Sequence, residues 1–180
     1  YKPHPFTGTR SSRAKAAHQR ITALIEKAAA ARSADPRFTA DTAGQERARA
    51  DLARIEARLA GLTGQVGRGD EADATRDGLV DVARHEETAR LRAEWNAAYW
   101  RSFPEWEHRV ITGAEPRLYD CFNVSDAMVS DISSVVSDFI ASGKPYAVTD
   151  SAGLGEEEFK RQNTAVRAAV ILTNDATGLD

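Results

Sequence analysis

Ala127-Met128-Val129-Ser130-Asp131-Ile132-Ser133-Ser134 runs into Val135-Val136-Ser137-Asp138-Phe139-Ile140 and closes at Gly143-Lys144-Pro145. A short apolar run is followed by small polar residues and then by a helical pattern, so the stretch reads as strand, turn and helix. The first N–H groups of a helix have no intrahelical partner and carry partial positive charge, and hydroxyls gathered beside them suit a phosphate. Ser130, Ser133 and Ser134 are therefore candidate phosphate-binding residues. Serines at a helix start are also commonly caps, and both roles use the same N–H groups. Asp131 would repel an anion and is better suited to ordering the turn. Asp138, one turn into the helix, is either an exposed helix residue or a support behind the serines.

Working outward, the same alternation continues. Residues 146–149 read as a strand, 156–167 as a helix and 169–172 as a strand. Upstream, Val110-Ile111 could be a strand and residues 117–124 a short helix. Strands alternating with helices predict a parallel sheet with crossover helices. Ligands of open sheets of this class bind beyond the carboxyl ends of the strands. The expected fold class is thus α/β, a Rossmann-like parallel sheet.

Further upstream the period lengthens. Ser11 or Ser12 can cap a helix running to about Arg32, with Ala17, Ile21, Leu24, Ile25 and Ala28 as its expected apolar face. Arg10, Arg13, Lys15 and Arg20 near its start could steer an anion, or could be a solvated face. Asp35-Pro36 breaks it. A second helix is expected over residues 42–62, with Leu52, Ile55, Leu59 and Leu62 in one stripe. A turn holding Gly64, Gly67 and Gly69 leads to a third helix over residues 73–103, with Leu79, Val82, Trp95, Ala98 and Tyr99 inward. Two long helices joined by a glycine-rich turn predict an antiparallel hairpin, and the narrow stripe suits a projecting coiled coil that could self-associate. Trp95, Tyr99, Trp100, Phe103 and Trp106 would anchor its base or form a gripping patch. The expected domains are 1–32 with 107–180 for the sheet, and 33–106 for the inserted hairpin.

The serine stretch resembles a known family. Ser130-Asp131-Ile132-Ser133-Ser134 with Asp138 and Lys144-Pro145 is similar to the Ser/Thr-Asp-Tyr-Ser-Ser…Asp-Phe…Lys-Pro motif of the CDP-glycerol glycerophosphotransferases. Lys2-Pro3-His4-Pro5 is similar to the family's upstream His-Pro pair. Ile132 stands where the family usually has Tyr, and the hairpin lengthens the distance between the motifs. The resemblance implies the donor-binding half of a GT-B fold. It implies transfer of a polyol phosphate, such as glycerol phosphate, from a CDP-activated donor to a lipid-linked or polymeric polyol phosphate acceptor in teichoic acid synthesis. His4 would be catalytic, stabilising charge as the nucleotide leaves, with Ser133, Ser134 and Ser130 on the donor phosphates. No cofactor or tightly bound metal is implied, and the acceptor-side base would come from another part of the enzyme. A cytoplasmic protein, peripheral at the inner face of the cell membrane, is expected. The alternatives are a related GT-B glycosyltransferase using a CMP- or otherwise activated sugar, and a scaffolding module built on the hairpin.

Length and charge bound these readings. The 180 residues suffice for a real core, yet the chain opens on what reads as a strand end, which suggests a piece of a larger protein that would be inactive alone. A net charge of −3 does not suggest nucleic acid as a partner. The single cysteine, Cys121, leaves no internal disulfide and fits a reducing compartment. Asp70, Glu71 and Asp73 lack the calcium-loop pattern, and His85 and His108 lack a metal-ligand arrangement around them.

Overall fold

A computed structural model describes residues 1–3, 11–63 and 74–173, without the side chains of 63 and 74–81. The fold is mixed α/β and mostly helical, with one small parallel sheet. The chain divides into two compact units, Tyr1–Pro116 and Arg117–Asp180.

The first unit is built on three long helices, α1 (Ser12–Ser33), α2 (Thr42–Thr63) and α3 (Ala74–Arg101). Ser11 starts α1 in an extended conformation, its hydroxyl accepting the Ala14 N–H at 3.1 Å. Asp41 does the same for α2, accepting the Gly44 N–H at 2.9 Å. Ile55, Leu91 and Ala98 are the buried centre of the α2–α3 interface, with Leu52, Leu59, Leu62 and Trp95 packed against them. Arg49 donates to the Ser102 carbonyl, Trp95 donates to Glu56, and Arg58 pairs with Glu87. Advancing along α2 retreats along α3, so the pair is antiparallel. Glu87 also pairs with Arg90, and these hydrogen bonds hold its carboxyl below its ordinary range. The glycine turn and Asp70, Glu71 and Asp73 lie outside the described residues.

Expectations for two helices of the first unit are corrected. On α3 the inward stripe runs through Leu91, while Val82 is exposed. On α1 no residue is buried, and Ile21 and Leu24 face solvent. The half-buried row of α1 is instead Ala14, His18, Thr22, Ile25, Ala29 and Arg32. The ties are polar and aromatic: the Tyr1 hydroxyl lies 3.3 Å from His18 Nδ1, and Arg32 donates to the Trp106 carbonyl while lying over Phe38. An alanine-rich helix has little large apolar surface to choose its inner face, so such contacts choose it.

Trp95 stacks on Tyr99, whose edge meets Trp100 and Phe103. Trp106 packs on Phe38 and donates to the Thr39 carbonyl, and the Arg109 guanidinium covers Phe103. The aromatic group thus fastens the hairpin base to segments 35–39 and 103–109. Val110-Ile111 forms no strand. Its neighbours are nonetheless bonded, since Tyr1 N donates to the Arg109 carbonyl at 2.8 Å and Ile111 N donates to the Tyr1 carbonyl at 2.9 Å. Those two bonds have the slanted pattern of a parallel pair centred on Val110.

The second unit holds α4 (Leu118–Val124), β1 (Met128–Ser130), α5 (Ser134–Ile140), β2 (Tyr146–Thr149), α6 (Glu156–Gln162) and β3 (Val170–Leu172). The helix expected over 156–167 ends at Gln162 and continues only as a 3₁₀ turn, Thr164–Val166. Sheet order is β1-β2-β3, all parallel, with Val129 beside Ala147 and Ala147 beside Val170. Period-two alternation puts Met128, Tyr146, Val148 and Ile171 on the other face. That face meets Val136, Phe159, Val166 and Ala169 to form the core. Phe139 is fully buried and meets Phe122 of α4 edge to face.

Candidate functional site

Polar side chains of the second unit gather at the carboxyl ends of β1 and β2. β1 ends at half-buried Ser130, whose hydroxyl lies 3.5 Å from Asp131 Oδ1. Ser133 then precedes α5 with extended backbone, φ −161° and ψ 171°. Its side chain makes no capping hydrogen bond, although Ser133 occupies the capping position. Asp131, Ser133 and Ser134 are all exposed. The first turn of α5 therefore leaves two hydroxyls exposed beside N–H groups that have no intrahelical partner. Asp138 is also exposed, farther along α5.

Asp150 holds the end of β2 and was not singled out from the sequence. It is 3 % exposed. Its backbone N–H donates to the Leu172 carbonyl at 2.8 Å, and its Oδ2 accepts the Gly155 N–H at 2.8 Å. Its Oδ1 is buried without a hydrogen-bond partner among the described residues. One residue thus joins the strand ends to the start of α6: the Asp150 backbone ties β2 to β3, and its side chain ties β2 to Gly155. The available signal was an acid directly after a strand, with Gly153 and Gly155 shortly behind it. Gly155 has φ 82° and ψ 155°, a conformation that L-residues avoid. Gly155→Ala should lower stability by about 1–2 kcal/mol, read as a reduced urea midpoint with unchanged slope. An unchanged midpoint would show that the loop relaxes freely.

Lys144 belongs to the Lys-Pro pair, yet its ammonium is committed elsewhere. Nζ donates to the carbonyls of Phe122 (2.8 Å), Asn123 (3.0 Å) and Ser125 (2.7 Å). These carbonyls lie at the end of α4, where the helix dipole favours a cation, and the Phe122 carbonyl also accepts the Ser125 hydroxyl at 3.1 Å. Glu156, Glu157 and Glu158 fill the first turn of α6. Hydrogen bonds from Arg161 and Gln162 hold the Glu158 carboxyl below its ordinary range. An anion at these strand ends would meet N–H groups and hydroxyls rather than the Lys144 ammonium.

Arg13 is exposed in the first turn of α1. His4 and Arg10 lie outside the described residues. Cys121 is half-buried in α4. Among the described residues, no group of three or more His, Cys, Asp or Glu is placed to hold a metal ion. No helix of the described residues is long and apolar enough to cross a membrane.

No protein-family model, curated protein or solved structure matches the chain.

Proposed function

We propose that the strand ends of the second unit bind the phosphates of a nucleotide-activated donor, in a transferase of the CDP-glycerol glycerophosphotransferase type. Carrying this is one observation: Ser133 sits at the start of α5 with its hydroxyl outside any capping bond, next to exposed Ser134 and the end of a parallel strand. A serine spent on capping would offer a ligand nothing new. An uncommitted one adds a donor to the N–H groups of the same turn.

The finer fold proposed is the Rossmann-like donor half of a GT-B enzyme. Support comes from the parallel three-stranded sheet, with helices between its strands. In the proposed reaction an acceptor hydroxyl oxygen attacks the glycerol-bearing phosphorus of CDP-glycerol. The bond from that phosphorus to the bridging oxygen breaks, and CMP departs with the electron pair. The hydroxyl proton passes to a base outside this chain. Ser130, Ser133 and Ser134 would hold the donor phosphates, and His4 would meet the charge developing on CMP. Asp150 would keep the strand ends rigid beneath them. Arg10 and Arg13 would draw the anionic donor in, and the acceptor would be a membrane-associated polyol phosphate at the inner membrane face.

The test pairs two measurements on one variant. Ser134→Ala should weaken CDP-glycerol binding by roughly 1–2 kcal/mol, the scale of a lost hydrogen bond to a charged group, with melting unchanged. A drop in stability of about 1 kcal/mol with donor affinity intact would instead assign Ser134 to helix initiation alone. A CMP-sugar that protects the enzyme from thermal unfolding where CDP-glycerol does not would move the proposal to a glycosyltransferase.

A further inference from the structure

Helix α1 buries no side chain, although it is 22 residues long. Beside its half-buried row lies a second row, Ala17, Ile21, Leu24 and Ala28, at the spacing of one helix face. All four are exposed, Leu24 by 65 %. Along the outer edge of that row stand Arg13, Arg20 and Lys27, one at every seventh position and all exposed. Glu26, the one acid of α1, points away on the opposite side of the helix. Among the described residues, none of the three cations is ion-paired. The hairpin differs: Arg54, Arg58 and Arg90 each have a carboxylate partner.

We propose that this face of α1 docks on an anionic lipid bilayer, with Arg13, Arg20 and Lys27 at the headgroups and Ile21 and Leu24 directed into the boundary beneath them. The proposal goes beyond the donor site and shares only Arg13 with it, and vesicle binding is read without any donor present. A helix of this length is roughly 33 Å long, so all three cations can lie in the interface plane together. Arginine and lysine suit that place because their apolar stems follow the boundary while the charge stays at the headgroups. The apolar row contains only two large side chains, so a neutral bilayer would hold it weakly. The unpaired cations supply the rest, each strengthening attachment to an anionic surface by roughly fivefold. Cations alone would suit any polyanion. The apolar row beside them selects a surface that is charged outside and apolar just below.

The full chain is sedimented with vesicles of phosphatidylcholine, and with vesicles containing about one-third phosphatidylglycerol. Binding is expected to the anionic vesicles only, and it should fall steeply with added salt. The triple variant Arg13→Gln, Arg20→Gln, Lys27→Gln should bind roughly a hundredfold more weakly. Arg47→Gln, Arg54→Gln, Arg92→Gln removes the same charge from the hairpin and should bind as the parent does. Leu24→Gln should weaken vesicle binding several-fold. Far-ultraviolet circular dichroism checks that each variant keeps its helices. Equal losses in the two triple variants would overturn the proposal, because only net charge would then matter. Indifference to Leu24→Gln, with soluble polyphosphate displacing the vesicles, would overturn it in favour of a dissolved polyanion. Absence of binding by the parent chain at low salt would overturn it outright.

Discussion

Lys144→Met should lower the unfolding free energy of the second unit by about 3 kcal/mol, since a charged donor is worth about 1.5–3 kcal/mol per hydrogen bond and water replaces part of the loss. Methionine keeps the apolar stem, so the substitution isolates the ammonium. The three carbonyls it serves belong to Phe122, Asn123 and Ser125, at the end of α4. Hydrogen exchange is the direct readout, with faster exchange expected at the amides of α4 and β2. Lys144→Arg should recover only part of the protection, because a flat guanidinium cannot point at three converging carbonyls as an ammonium does. The outcome separates two roles for the Lys-Pro pair. A variant that keeps its exchange pattern but loses donor affinity would place Lys144 on the ligand instead.

On the proposed function, His4→Ala should lower glycerol phosphate transfer by about a hundredfold or more, the scale for removing a positioned acid or charge-stabilising donor. The loss should fall on turnover rather than on donor affinity, because in the proposed reaction the charge His4 would meet develops only as CMP leaves. His4→Gln, which keeps a hydrogen-bond donor and loses the positive charge, should fall between the two. Turnover within about threefold of the parent would remove His4 from the chemistry and leave it a turn residue between two prolines.

Much of the second unit was legible because its elements are short, its apolar runs are bounded by small polar residues, and each strand pairs with the next in sequence. The strand expected over 146–149 is β2, and the helical pattern after the serines is α5. The α2 stripe was legible for a similar reason, since Leu52, Ile55, Leu59 and Leu62 stand among charged residues that cannot be buried. The face of α1 was not. Alanines lie all round that helix, and the contacts that orient it, Tyr1 with His18 and Arg32 with Trp106, join residues far apart in the chain. Lys144 misleads in the same way, because its carbonyl partners come 19 to 22 residues earlier. Asp150 was within reach of sequence reasoning, as an acid at a strand end before two closely spaced glycines. Its bond to Gly155 depends on the loop turning back, which residue types alone do not specify.

The pair of hydrogen bonds between Tyr1 and the 109–111 segment makes everything between them a single long loop, drawn shut by its ends. The entropy of shutting a loop rises only with the logarithm of its length, so doubling that stretch would add just about 0.6 kcal/mol. A longer α2–α3 pair also brings its own interhelical packing, which offsets the ordering of the added residues. Whole heptads could therefore be inserted or deleted midway along both helices with little effect on the closure at Tyr1. In the second unit the joins are only a few residues long, and each sets a strand's place in the sheet. Growth of this protein is thus thermodynamically easy along its helical pair and harder in the second unit.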